Sequence, residues 1–297
     1  MSESFSISTG VRQGCIISPL LFNTVVDAIM RSVMKNRIGV EFGRGQFVTD
    51  LMYADDIAIF ANDEDEAMSF LHDISMISKA YGLTINAEKT KVLTTDGTSV
   101  SVLLNGVELE QVQHFKYLGS IVQQKKVASS MEILNRIGAA STAFGSLIWC
   151  LWRKLNITVS TKMRIYRALI LPILLYGVES WTILQSDAQK LETFQMRCLR
   201  QILGIRLRNR IRSEEIRRRC NEQPTIASVI RKRRLKWFGH VCRMELSRLS
   251  RSCCGGYALL NGRSKEEPQE NVAETSRETS FVFQNKFAAS EDLGVGK

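Results

Sequence analysis

The sequence predicts an α+β fold for its first part and an almost entirely helical second part. Up to residue 122, short apolar runs bounded by turn residues alternate with two amphipathic segments. Longer segments with helical spacing fill 123–251, and residues 252–297 lose this periodicity and become rich in Gly, Ser and Glu. We therefore predict domains at 1–122 and 123–251 and a poorly ordered tail at 252–297.

Two helices are predicted in the first part. Ser18 fits the N-cap of the first helix and Pro19 its first turn, where the missing N–H has no intrahelical partner to lose. The second spans residues 62–81, with apolar side chains at helical spacing, and Gly82 ends it as a C-terminal glycine. Further short strands are predicted at 84–86, 91–94, 100–104, 107–109 and 117–122.

Between these helices the sequence predicts a hairpin with two acidic residues at its tip. The apolar runs 51–54 and 57–61 flank Asp55 and Asp56. Clustered carboxylates supply the hard oxygen ligands that Mg²⁺ prefers. Asp is also a common turn residue, so the dipeptide alone leaves a purely structural role open.

Five helices are predicted in the second part, each with Ser or Thr at its start: 130–147, 160–176, 186–203, 213–220 and 225–244. Trp149, Trp152 and Trp181 are expected to pack between helices. The seven cysteines form no C-x-x-C pair, and most lie in apolar or basic helical contexts, which indicates buried free thiols and no disulfide framework.

Charge separates the two parts. Residues 1–120 hold 9 basic and 15 acidic side chains, a net of −6, whereas residues 121–251 hold 26 basic and 8 acidic side chains, a net of +18. This asymmetry favours a nucleic acid partner over a solvated helix face, which is the alternative. The candidate phosphate-binding residues are Arg217, Arg218, Arg219, Arg231, Lys232, Arg233, Arg234 and Lys236.

Four segments together resemble reverse transcriptases of non-LTR retrotransposons, in order and in spacing. They are Gly10–Asn23, which begins Gly-Val-Arg-Gln-Gly-Cys; Tyr53-Ala54-Asp55-Asp56; Gly82–Lys91; and Phe115–Ser120. The helical part is similar to the region that follows the polymerase in such elements, through Leu174–Trp181 and Arg234–Val241.

The resemblance implies a partial polymerase palm, an antiparallel sheet with helices, followed by a helical thumb and a basic helical region. Its activity would be RNA-directed DNA synthesis from an RNA template, a DNA primer and dNTPs. Asp55 and Asp56 would be the catalytic ligands of two Mg²⁺ ions. Arg12, Gln13, Gly14, Tyr53 and Lys89 would contact the nucleotide, template or primer.

One departure from the family pattern limits this expectation. Such enzymes carry another metal-binding Asp on a strand upstream of the Gly10–Cys15 motif, and only nine residues precede Gly10 here. We therefore expect an incomplete enzyme that is inactive alone, with a non-catalytic nucleic-acid-binding module as the alternative. The longest apolar run, 168–176, is too short to span a membrane, and no signal peptide is readable, which favours a nuclear or cytoplasmic protein.

Overall fold

The computed structural model describes residues 14–43, 45–124, 129–245, 247–252 and 281–289. The chain forms two compact units. Unit 1 combines residues 1–125 with 265–297, and unit 2 comprises residues 126–264.

The two predicted helices of unit 1 are present. Helix α1 spans Ser18–Met34 and helix α2 spans Glu64–Ala80. The N-cap of α2 is Asp63, whose carboxylate accepts the Glu66 backbone N–H at 2.7 Å. The N-cap of α1 is Ile17 and not Ser18, because the helix begins one residue earlier than the cap pattern predicts.

The main sheet of unit 1 has six strands, and one of them comes from the end of the chain. They are β3 (Asp50–Tyr53), β4 (Asp56–Ala61), β5 (Leu83–Ile85), β6 (Lys91–Thr94), β9 (Glu110–Gln111) and β12 (Phe281–Ala289). Their order is β3-β4-β12-β6-β9, and β5 also pairs with β12. Strand β12 runs antiparallel to β4, β5 and β6. This strand lies within the predicted tail, and the rest of residues 253–297 is outside the described residues.

Three small hairpins complete unit 1. They pair β1 (Val40–Gly43) with β2 (Gln46–Val48), β7 (Leu103–Leu104) with β8 (Val107–Glu108), and β10 (His114–Tyr117) with β11 (Ser120–Gln123). The core lies between the sheet and α2, where Phe70, Leu71 and Ile74 are fully buried together with Ile57 and Ile59 of β4. Burial of successive side chains of β4 explains the continuous apolar run at 57–61 in the sequence.

Unit 2 is helical throughout its described residues. Its helices are α3 (Ser130–Ser146), α4 (Val159–Ile165), α5 (Leu171–Leu174), α6 (Gln185–Leu203), α7 (Ser213–Arg219) and α8 (Ile226–Cys242). Two π-helical turns, Ile148–Trp152 and Tyr166–Ile170, lie between helices, and the second divides the segment that the sequence predicts as one helix over 160–176. Thr158 and Thr225 cap α4 and α8 through their hydroxyl oxygens.

The core of unit 2 contains Trp152 but not Trp149. Trp152 stacks on Phe144 at a ring-centroid distance of 4.7 Å and donates its Nε1–H to the Phe144 carbonyl at 2.8 Å. Trp181 is also buried, as predicted. The prediction for Trp149 is wrong: its side chain is 72% exposed, because the π-helical turn directs it outward.

The cysteines divide into two groups. Cys198 and Cys220 are buried, as the sequence predicts. Cys150 and Cys242 are exposed, which contradicts that prediction, and Cys15 is exposed too. None of the described helices is long and apolar enough to cross a lipid bilayer.

Candidate functional site

The acidic hairpin has the shortest loop that joins two antiparallel strands. Tyr53 of β3 pairs with Asp56 of β4, which leaves Ala54 and Asp55 as the loop. Ala54 has φ +53°, a left-handed conformation that costs an L-residue roughly 1 kcal/mol. Asp55 is exposed and Asp56 is half-buried. The tight turn therefore presents one carboxylate to solvent and keeps its neighbour at the sheet edge.

A second hairpin lies beside the acidic one. Tyr117, at the end of β10, donates its hydroxyl to the Leu51 carbonyl of β3 at 3.0 Å. Burial raises the pKa of Tyr117, and the negative charges of Asp56 and Asp50 raise it further. The structure thus places the Phe115–Ser120 segment against the Tyr53–Asp56 segment, two of the four that carry the resemblance.

Asp50 adds a third carboxyl group to this region. Burial raises the pKa of Asp50, and the charge of Asp27 on α1 acts in the same direction. The Thr49 hydroxyl donates to Asp50 at 2.7 Å, which offsets part of that rise by favouring the carboxylate. Sequence analysis missed Asp50 and Asp27, because neither belongs to a recognisable motif.

These acids do not form a complete metal cage. Within the described ranges, no group of three or more His, Cys, Asp or Glu side chains is arranged to hold a metal ion. Mg²⁺ takes about six oxygen ligands in near-octahedral geometry. The pair Asp55 and Asp56 supplies too few protein oxygens, in too exposed a position, for the two-ion site that the resemblance implies.

The other residues predicted for nucleotide or template binding are only partly described. Arg12 and Gln13 lie outside the described residues, whereas Gly14 precedes α1 with φ +84°. Tyr53 shares the acidic hairpin and is exposed. Lys89 is exposed, in the turn after β5, where its backbone N–H donates to the Asn86 side chain at 3.0 Å.

Lys89 and the acidic hairpin lie at the same end of the sheet. Strand β12 places Lys286 opposite Asp56 and the next residue, Phe287, opposite Ile85 of β5. Lys89 lies in the turn that follows Ile85, and this turn therefore starts at the end of the sheet where β4 begins.

The predicted phosphate-binding residues divide into internal and exposed groups. Arg217 forms an ion pair with Glu192 and donates to the Gln195 side chain at 2.7 Å. Arg233 donates to the Leu175 carbonyl at 2.9 Å, and Arg234 donates to the Val178 carbonyl at 3.3 Å. These three guanidinium groups connect helices and backbone within unit 2, which the sequence pattern did not reveal.

Arg218 and Arg219 form ion pairs with the same acidic residue. Both donate to Glu215, and the hydrogen bonds from Arg218 and then Arg219 lower the pKa of Glu215 to about 2. Arg231, Lys232 and Lys236 are exposed on α8. Of the eight predicted basic residues, these last three are the most open to a polyanion.

The first part of the chain is similar to a known protein family. Residues 2–122 match the reverse transcriptase (RNA-dependent DNA polymerase) family. Over these residues the chain is similar to reverse transcriptases. The match covers the acidic hairpin, nearly all of its neighbouring hairpin and every strand of the main sheet except β12.

Relatives that match about two thirds of the chain come from mobile elements, which confirms the resemblance to reverse transcriptases of non-LTR retrotransposons. The chain is 28% identical over 215 residues to an uncharacterised transposon-derived protein of Caenorhabditis elegans, covering 68% of this chain and 74% of that protein. It is 27% identical over 208 residues to the RNA-directed DNA polymerase of mobile element jockey from Drosophila melanogaster, covering 67% of this chain.

A Pol polyprotein of the type-1 element R2 from Popillia japonica is 24% identical over 211 residues. The chain spans 22% of the jockey polymerase and 33% of the R2 polyprotein. These alignments extend well beyond the 121 residues of the family match, so the helical unit also resembles sequence in the mobile elements.

Proposed function

We propose that this chain supplies the acidic hairpin and the following helices of an RNA-directed DNA polymerase, which transfers nucleotides to a primer 3′-OH. The observation that supports this most directly is the tight hairpin that carries Asp55 and Asp56 beside the Tyr117 hairpin, within the segment that matches the reverse transcriptase family. Asp55 and Asp56 are the proposed catalytic carboxylates, for which Mg²⁺ is the proposed metal.

The remaining proposed contacts follow from position. Tyr53 is exposed on the same hairpin and would support the primer end or the nascent base pair. Gly14 has no side chain to obstruct a nucleotide, with Arg12 and Gln13 proposed beside it along the template. Lys89, at the same end of the sheet, would approach the triphosphate of a dNTP.

We further propose that this chain does not polymerise DNA by itself. Two neighbouring carboxylates, one of them exposed, neither neutralise nor enclose a pair of divalent ions. A complete site requires oxygen ligands additional to those that the described residues bring together. Such an enzyme acts on nucleic acid, so we expect it in the nucleus or the cytoplasm.

Primer extension tests both statements. The purified chain is incubated with an RNA template, a DNA primer, dNTPs and Mg²⁺, beside Asp55→Ala and a matched variant of an exposed helix acid, Asp65→Ala. We expect none of the three proteins to extend the primer. We expect the unaltered chain to bind Mn²⁺ with a dissociation constant of roughly 10⁻³ M or weaker. Asp55→Ala should weaken this binding, and Asp65→Ala should not. Extension by the unaltered chain that Asp55→Ala abolishes would contradict the proposed inactivity. Mn²⁺ binding insensitive to Asp55→Ala would contradict the proposed role of the hairpin.

A second candidate function is nucleic acid binding without catalysis. It is favoured by the net charge of +18 over residues 121–251 and by the exposed cations Arg231, Lys232 and Lys236 on α8. Under this proposal, the chain binds template and primer with an affinity that falls steeply with salt, even though the primer is not extended.

A further inference from the structure

Unit 2 contains a cavity whose lining, among the described residues, includes five basic side chains and no acidic one. Its volume is about 840 Å³, within the range of ligand-binding pockets. The basic lining residues are Arg153, Lys162, Arg197, Arg200 and Arg206. None of them is among the eight basic residues predicted from the sequence, and Arg206 follows the end of α6. The others come from three separate segments that the fold brings together.

Lys162 is a buried basic residue in the lining of this cavity. Its residue is 95% buried, and its Nζ donates to the Trp152 carbonyl at 2.9 Å. No ion pair involves Lys162 among the described residues. A buried ammonium with only a neutral acceptor is stabilised by an incoming anion, because an opposite charge recovers part of the lost hydration.

Helix α6 contributes two cations near its C-terminus, where the helix dipole alone would repel an anion. The last turns of α6 carry Arg197 and Arg200, and the helix ends at Gly204, whose φ is +68°. The Arg200 carbonyl accepts the Ile205 N–H at 2.9 Å and the Gln201 carbonyl accepts the Gly204 N–H at 3.2 Å. Those two carbonyls are thus occupied, and the guanidinium groups determine the local charge.

An exposed aromatic platform adjoins the cavity. Arg153, which lines the cavity, stacks on the Trp149 ring with its guanidinium carbon 4.1 Å from the ring centroid. Trp149 is 72% exposed, and Leu155 and Leu207 of the cavity lining are exposed as well. An open indole beside several cations is the combination that holds unstacked bases along a charged backbone.

We propose that the basic cavity of unit 2 binds the sugar–phosphate backbone of a single-stranded nucleic acid while Trp149 stacks on one of its bases. This site is separate from the exposed face of α8, and it rests on the proposed function only in that unit 2 binds nucleic acid. Phosphates approach Arg153, Arg197 and Arg200, and the buried charge of Lys162 draws one of them inward. Duplex, whose bases are already stacked, gains nothing from Trp149.

Three variants of the full chain test the cavity. Arg197→Gln/Arg200→Gln removes two lining cations, and Trp149→Leu removes the platform. Arg164→Gln/Arg243→Gln is the matched control, because it removes two exposed cations of unit 2 that do not line the cavity. Affinity for a fluorescent single-stranded oligonucleotide is measured over a salt series, and thermal melting verifies the fold of each variant.

We expect the cavity variant to reduce the slope of log K against log salt by about 1.4, the value for two lost contacts to a single strand. Trp149→Leu should weaken single-strand binding by about 5- to 100-fold and leave duplex binding unchanged. The control should retain the affinity and most of the slope. Equal effects of the cavity and control variants, or equal loss of duplex and single-strand binding in Trp149→Leu, would overturn the proposal.

Two further outcomes separate this inference from the function that it rests on. If Arg231→Gln/Lys232→Gln abolishes binding and the cavity variants do not, the cavity is refuted while nucleic acid binding by unit 2 stands. If the unaltered chain binds no oligonucleotide at low salt but binds anionic vesicles through the cavity residues, both are refuted in favour of a lipid surface.

Discussion

Arg217 shows how a residue that the sequence places on a nucleic acid surface can instead hold a helical unit together. Besides Glu192 and Gln195, it donates to the carbonyls of Gln223 at 3.2 Å and Pro224 at 2.9 Å. Glu192 also accepts the Ile226 N–H at 3.0 Å, so the pair joins α6 to the start of α8. Burial lowers the pKa of Arg217, which is the cost of placing this cation inside the unit.

Replacing Arg217 should therefore destabilise unit 2 far more than replacing its neighbour. We expect Arg217→Ala to lower the free energy of unfolding by about 2–4 kcal/mol, because Glu192 and two backbone carbonyls lose their partner. Arg218→Ala should have a far smaller effect, since its pair with Glu215 is exposed and screened by solvent. Urea unfolding followed by tryptophan fluorescence measures the difference, because all four Trp residues lie in unit 2. Similar losses in both variants would show that Arg217 is not structural.

At the scale of elements, local patterns in the sequence were sufficient for most helices and for several strands, but β1, β2 and β9 were not predicted and the strand predicted at 117–122 is interrupted by the turn between β10 and β11. The acidic hairpin, β6, and helices α3, α6, α7 and α8 lie within two residues of their predicted bounds. The π-helical turn after Ile165 was not predictable, because apolar spacing hardly distinguishes it from an α-helix. Strand β12 was missed because Phe281 pairs with Ala61 of β4, 220 residues earlier, and with Thr94 of β6, 187 residues earlier, and no local signal reports such pairing.

The residues of the candidate sites also divide into those that a local motif predicts and those that only the tertiary structure brings together. Asp55 and Asp56 are contiguous, so a motif could find them, whereas Asp50, Asp27 and the basic cavity are assembled by tertiary structure. Trp149 was misassigned to the core because a tryptophan is usually buried, and only the geometry of the π-helical turn exposes it. Spacing along the sequence therefore predicted the acidic hairpin but not the functional residues that other elements contribute.

Strand β12 should be essential to unit 1. It pairs with β4 from Asp56 to Ala61 and with β6 from Lys91 to Thr94, so it occupies the middle of the sheet. Deleting residues 265–297 leaves the facing edges of β4 and β6 unpaired, and unpaired edges exchange with solvent and associate with other chains. We expect faster hydrogen exchange of the β4 and β6 amides and a larger apparent mass in gel filtration, with unit 2 peptides unchanged.

Two companion experiments make the test of β12 specific. Deleting only residues 290–297 retains the strand and should preserve the protection of β4. Adding a peptide of residues 279–291 to the longer deletion should restore it, because strand pairing requires no covalent link. Unchanged exchange of β4 in the longer deletion would contradict the sheet order.

Across the whole molecule, charge and titration distinguish the two units. The carboxylates of the acidic hairpin belong to unit 1, whereas the segment 121–251 carries a net charge of +18 and the buried thiols Cys198 and Cys220. Burial raises the pKa of Cys198 to about 12 and that of Cys220 to about 11. Burial raises the pKa of Tyr166 as well. Because all three groups are neutral in the folded unit, their effect on stability appears only in alkaline solution.

We therefore expect unit 2 to lose stability as pH rises above about 8.5, where thiols in the unfolded chain ionise while those in the folded unit stay protonated. The unfolded state then binds fewer protons than the folded one, so the free energy of unfolding falls, by on the order of 2 kcal/mol per thiol by pH 10.5. Urea unfolding monitored by tryptophan fluorescence at pH 8 and 10.5 measures it. Cys150→Ser/Cys242→Ser should keep the decline, because both thiols are exposed, whereas Cys198→Ala/Cys220→Ala should reduce it. An equal decline in the two double variants would refute burial of the thiols as its cause.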